Sequence, residues 1–337
     1  MSSELPLPDH YNPDNIAKNP WKIQYQRCAQ AARSWSEKFE IKPAHKDEKQ
    51  THLLLVDVQN TFCTPGFELF VPGAPDDNKR LTEFIYRSLN RITSITASMD
   101  THFAMQIFHE YFFIDENGKH PEPLTIISLE DIKNGKWKVN PEILPELEKN
   151  KSISAEDHVA HYVKELEKKQ RYSLVIWPYH AMLGGIGHAL VSSVEEAIFF
   201  HNIARKTQAN IEIKGSNFFS EAYSIFGEEV QDTPNPASPQ ERMEIAEKNE
   251  RLIEHVIHND KIIVAGQAKS HCVAWTLLDL MQEIKEKDPK LADKVYILED
   301  CMSPVPGFEK QTEEIFKEIA ESGMHLVSSK TDMKNWP

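Results

Sequence analysis

Residues 52–58 read HLLLVDV. Leu53 to Val56 follow one another with no polar residue between them. A strand with one wet face alternates apolar and polar side chains. An unbroken run fits a strand buried on both faces, the habit of parallel sheets covered by helices on either side. The run then meets Asp57, a carboxylate at the expected carboxyl end of the strand.

Working outward from this run, the same rhythm recurs. SITASMD (94–100), YSLVIW (172–177), NIEIK (210–214), KIIVAG (261–266) and VYILED (295–300) read as further strands. Helical patterns separate them: 77–92, 156–170, 194–207, 241–259, a run from Cys272 to about Lys287, and 311–323. Strands alternating with helices predict a three-layer α/β/α architecture with a mostly parallel sheet. Residues 1–50 are polar, charged and proline-containing, and read as an N-terminal extension, an arm or a small helical cap. The α/β domain spans 51–330, with insertions at about 115–170 and 227–241, and 331–337 form a tail.

Composition excludes several classes. The 337 residues carry 38 Lys+Arg against 52 Asp+Glu, so the formal charge is 38 − 52 = −14. That argues against a nucleic-acid surface, because phosphate binding relies on Lys and Arg. No stretch reaches the ~20 apolar residues of a membrane helix. The start, MSSELPLPDHYNPDN, lacks the charged-then-apolar pattern of a secretory signal. Cys28, Cys63, Cys272 and Cys301 lie far apart, with no CxxC pair, so neither a zinc knuckle nor a disulfide scaffold is indicated. A reducing cytoplasm is the expectation.

Reactive side chains fall at the expected strand ends. Asp57 ends the first, Asp100 and His102 follow SITASM, His180 follows YSLVIW, Lys214 ends NIEIK, Cys272 follows KIIVAG by a short turn, and Asp300 ends VYILED. Open α/β sheets bind ligands outside the carboxyl ends of their strands. Cys272 enters a helix, whose first turn presents N–H groups and partial positive charge. That setting lowers a thiol pKa and can hold an oxyanion. Asp57 is a candidate proton acceptor, and Lys214 a candidate counter-charge. Asp100, His102 and His180 offer one carboxylate and two imidazoles, a set that suits Zn²⁺, Fe²⁺ or Mn²⁺. Bland readings stand beside these: free cysteine is among the most buried residues, and 15 histidines produce an Asp-x-His by chance. His109, His158, His161, His188 and His201 fit structural or solvated roles, and Gly184-Gly185-Ile186-Gly187 fits a tight turn rather than a phosphate cradle.

Six segments together resemble the isochorismatase-like cysteine hydrolases, nearest the nicotinamidase branch. They are LLLVDVQNTFCTPGFELFVPGA (53–74), SMDTH (98–102), WPYHAMLGGIGHAL (177–190), IKGSNFFSEAYSIF (213–226), AGQAKSHCVAWTLLD (265–279), and VYILEDCMSP (295–304) with ESGMHLVSS (321–329). The resemblance implies a catalytic triad of Asp57, Lys214 and Cys272 that hydrolyses a small carboxamide through a thioester. It implies an oxyanion hole from the N–H groups of Ala268 and Cys272, and a cis peptide at Gln267–Ala268. It further implies a divalent metal, zinc first, with iron or manganese as alternatives, on Asp100, His102 and His180. Phe62, Trp177 and Gln267 become candidates for the substrate pocket, and a homo-oligomer is expected. Ala181, Gln267, Lys269 and His271 depart from the family pattern. Hydrolysis of a ureido or isochorismate-type substrate, and a non-catalytic binding role, are the competing expectations.

Overall fold

The structure is a computed structural model describing residues 4–149, 154–169, 172–234 and 248–337. It forms two compact units. The first comprises Met1–Met99, Ala189–Glu212 and Glu250–Pro337, and the second Asp100–His188 and Ile213–Asn249.

Six strands build one sheet: β1 (Thr51–Val56), β2 (Ser94–Asp100), β3 (Asn210–Lys214), β4 (Lys261–Gly266), β5 (Val295–Leu298) and β6 (His325–Val327). Their order across the sheet is β6-β5-β4-β1-β2-β3. β1 pairs in parallel with β2 and β4, β4 with β5, and β5 with β6. Every residue of β1 is buried, as its unbroken apolar run predicts. Leu53 and Leu55 join one core cluster with Ile95, Ala97, Ile263 and Ala265. Strand side chains alternate, so Leu54, Val56, Ile262 and Val264 face the opposite layer. Burying each large aliphatic side chain contributes roughly 1.5–3 kcal/mol.

The first unit's longer helices are α1 (Tyr25–Lys38), α2 (Ala74–Arg87), α4 (Ser192–Arg205), α5 (Glu250–Ile257), α6 (Ala274–Lys287) and α7 (Glu309–Glu321); α3 (Ala155–Lys168) lies in the second. On α1, Cys28, Ala32 and Trp35 recur at helical spacing and are buried. That stripe packs on α4, which also packs on α2. The N-terminal segment is therefore part of the first unit's core. α6 packs against α7. No helix among the described residues is long and apolar enough to cross a membrane.

Three expectations are corrected. YSLVIW does not enter the sheet; Leu174–Val175 pair antiparallel with Ile126–Ile127 in the second unit. The sixth sheet strand is instead the short HLV of β6, which no long apolar run announced. Of the helix expected over 241–259, the described part is α5; residues 241–247 lie outside the described residues. In the second unit α3 is capped by Ser154, whose side chain accepts the Asp157 N–H, and packs on the short helix Leu129–Lys133.

Candidate active site

In the first unit, the register of β1 and β4 sets Val56 opposite Gly266. Gly266 has φ +135°, and a Cβ there would lie 2.0 Å from the Val56 carbonyl oxygen. Only glycine lets the two backbones approach this closely. The next residues therefore leave adjacent strands at one level, and the Gln267 N–H donates to Val56 O at 2.8 Å. Asp57 is fully buried. Ser98 of β2 donates its hydroxyl to Asp57 Oδ1 at 2.6 Å and lies 3.0 Å from the Asp57 nitrogen, so it orients the carboxylate.

The Gln267–Ala268 peptide is cis, as the resemblance implies. The chain then makes a wide π-type turn over Lys269–Val273 that runs directly into α6. Such widened turns recur at functional sites. Cys272 is buried within it, so the helical path starts three residues before the cysteine rather than at it. The N–H groups of Gln267, Lys269, His271 and Val273 are spent on Val56, Ser303, Ala268 and Ala268 carbonyls respectively. Ala268 and Cys272, the expected oxyanion donors, lie in the same turn. All four cysteines are buried, and none is in a disulfide.

The departures from the family pattern hold this turn in place. Gln267, a candidate for the substrate pocket, has its amide engaged at both ends inside the first unit. Its Nε2 donates to Asp77 Oδ2 at 2.8 Å, and its Oε1 accepts the Ser303 N–H at 3.2 Å. Burial raises the Asp77 carboxyl, while Ser303, Gln267 and Arg80 oppose that through hydrogen bonds. Lys269 reaches Glu299 Oε1 at 3.0 Å and lies over the Phe316 ring. His271 Nδ1 lies 2.8 Å from Ser270 Oγ, and its ring meets the Phe308 edge. Burial lowers the His271 pKa to about 4, so the imidazole is neutral near pH 7.

The second unit holds the metal-competent set. Asp100 and Lys214 end adjacent strands, and the Thr101 N–H donates to Lys214 O at 2.9 Å. His180 does not come from a sheet strand. It arrives because His102 bridges Met182, with the His102 N–H on Ala181 O at 3.0 Å. His102 Nε2 lies 2.8 Å and His180 Nε2 3.6 Å from Asp100 Oδ2. Lys214 Nζ donates to Asp100 Oδ1 at 3.0 Å and to Ala222 O at 2.8 Å. Burial alone would raise the Asp100 carboxyl, but the adjoining His102 and Lys214 charges hold it well below the usual range. Burial foremost, and then His102, lowers the His180 pKa.

A divalent metal fits these residues. Ligand atoms of Asp100, His102 and His180 lie within 4.8 Å of one another, and all three residues are buried. His102 Nδ1 lies 2.9 Å from Gly215 O, and His180 Nδ1 2.8 Å from Pro178 O. Metal-binding imidazoles are held this way, one nitrogen on a carbonyl and the other presented to the ion.

No protein-family model and no curated protein matches this sequence. Solved structures do. A yeast nicotinamidase bound to the inhibitor nicotinaldehyde superposes with a TM-score of 0.53 at 17% identity, over 83% of this chain and 100% of that one. An Acinetobacter baumannii nicotinamidase/pyrazinamidase gives 0.51 at 20%, over 84% and 98%. The chain has the isochorismatase-like α/β fold.

Within the isochorismatase-like fold, Asp57 and Cys272 belong to the first unit, and Asp100, His102, His180 and Lys214 to the second. Phe62 packs in the first unit's core cluster. Trp177 is buried in the second, its Nε1–H donating to Tyr223 Oη at 3.1 Å. Sequence reasoning missed Ser98, Gln106 and Gly215. Gln106 donates to Gly215 O at 2.8 Å, the carbonyl that His102 also meets. Their roles depend on register, which a single side chain does not reveal; the Lys-Gly pair was the one signal for Gly215.

Proposed function

We propose that this chain is a cysteine amidohydrolase. It cleaves the C–N bond of a small carboxamide, with nicotinamide as the leading substrate and nicotinate plus ammonia as products. The observation that carries the reading is the nucleophile turn: a buried Cys272 in the turn entering α6, with Asp57 at the end of the neighbouring strand. The N–H groups of a helix's first turn favour negative charge nearby. Structural likeness to nicotinamidases supports the substrate class.

Asp57 accepts the Cys272 proton as sulfur attacks the amide carbonyl carbon. The N–H groups of Ala268 and Cys272 hold the resulting oxyanion. Asp57 returns the proton to nitrogen, the C–N bond breaks, and ammonia leaves a thioester. Water then gives a proton to Asp57 as its oxygen attacks the thioester. The C–S bond breaks, sulfur recovers the proton, and the carboxylic acid departs. The family resemblance assigns Lys214 the counter-charge role of the triad. Asp100, His102 and His180 would hold a divalent ion, zinc before iron or manganese, which supplies a Lewis acid for a ring nitrogen. Phe62 and Trp177 remain apolar-wall candidates from the sequence resemblance alone.

Ammonia release from nicotinamide and a panel of small amides tests this. Wild-type protein turns over at least one amide, and Cys272→Ala loses at least about a thousandfold in kcat while staying folded. Wild-type turnover in Cys272→Ala sinks the reading. So does a metal-loaded protein that hydrolyses no amide in the panel.

A further inference from the structure

Three metal-ligating side chains from three elements meet away from the site above. His10 lies in the N-terminal arm, Cys28 on α1 and Glu196 on α4, all in the first unit. An imidazole nitrogen, a thiol sulfur and a carboxylate oxygen lie within 4.8 Å of one another.

The cluster is built rather than casual. The His10 ring stacks on Phe200 at 5.1 Å and meets Tyr86 edge-on at 5.7 Å. Its Nε2 lies 3.2 Å from Tyr86 Oη, which fixes the ring's direction. Its Nδ1 is buried and has no hydrogen-bond partner among the described residues. An unsatisfied buried group of this kind costs about 1–3 kcal/mol. Cys28 is 4% exposed, and Glu196 is half-buried, which leaves a path from solvent. Burial and the Glu196 and Glu195 carboxylates push the Cys28 thiol up to about 12, and burial raises Glu196 as well. The two carboxylates set negative charge beside the sulfur.

We propose that His10, Cys28 and Glu196 form a second metal site, for zinc, that fastens the N-terminal arm to α1 and α4. Sulfur and imidazole donors favour zinc over calcium or magnesium. Thiolate and carboxylate together balance its double charge. Binding breaks the S–H bond, forms an S–Zn bond and releases the proton to solvent, with no change of oxidation state. Water takes the fourth position. An ion that binds only the folded arm stabilises it by mass action. The arm is also tied through the Leu5 N–H on Arg87 O at 2.9 Å and Tyr11 Oη on Glu83 at 3.3 Å.

The test uses the full chain, stripped with chelator and reloaded with Co²⁺. The donors of the Asp100, His102 and His180 set include no sulfur, so thiolate-to-cobalt charge-transfer absorption reports the new site. The band appears in wild type and in Asp100→Asn and is lost in Cys28→Ser, with zinc content lower by one equivalent per chain. Glu196→Gln, at a half-exposed position, keeps the fold by circular dichroism and weakens zinc binding at least tenfold. No band in wild type, a band that survives Cys28→Ser, or unchanged zinc affinity in Glu196→Gln overturns the proposal. None of these readouts depends on amide hydrolysis.

Discussion

His102 Nδ1 lies 2.9 Å from the carbonyl oxygen of Gly215, the residue that follows Lys214. A carbonyl accepts only, so Nδ1 carries the hydrogen and Nε2 faces Asp100. The same peptide thus ends the lysine strand and sets the tautomer of a metal-competent imidazole.

Gly215→Ala tests that peptide. Gly215 has φ +73°, and an added Cβ would lie 2.6 Å from Asp100 Oδ1 and 2.8 Å from His102 Cε1. Nothing at that spacing can stay in place. Metal affinity should fall about 10–100-fold, the usual cost of disturbing a ligand's support. Competitive titration of the divalent ion checks this, and an affinity within twofold of wild type would refute it.

Gln267→Leu tests whether the departure at this position serves the turn or the substrate. Leucine removes the amide donor from Asp77 Oδ2, leaving the buried carboxylate short of one bond. Urea unfolding should show a loss of about 1–3 kcal/mol. A residue that only reads substrate would instead alter KM and leave the unfolding midpoint where it was.

Acid should destabilise the first unit through His201. The ring is fully buried, with Nε2 2.9 Å from Ile92 O, and burial lowers its pKa to about 4 from 6.5. Between those values the unfolded chain binds the proton and the folded chain does not. The stability is present above pH 6.5 and is lost as pH falls towards 4. From pH 7 to pH 5 the loss is roughly 2 kcal/mol at 1.36 kcal/mol per pH unit. His201→Gln should remove that increment from the pH dependence of the urea midpoint; parallel wild-type and variant profiles would contradict it.

Much of the fold is legible because its central strands are buried on both faces. LLLV and KIIVAG announce themselves by composition alone. YSLVIW looked the same, yet Leu174–Val175 found a partner in Ile126–Ile127. An apolar run declares burial, not the strand it will pair with. β6 escaped notice because three residues carry too little pattern. Asp57, Asp100 and Lys214 were legible as candidates at strand ends, whereas His180 follows a run that does not enter the sheet. Ser98, Gln106 and Gly215 were not legible, since their work is to hold other residues.

The sequence by itself determined the strand rhythm, the residue types at the strand ends and the family likeness. Covalent order suffices for those, because periodicity and motif spacing are local. Only the tertiary structure decided that Gln267 faces Asp77, that His180 reaches Asp100 through the His102–Met182 bridge, and that His10 meets Cys28 and Glu196. Each of these joins residues far apart in the chain. Register and helix packing set such distances, and neither is written in any one segment.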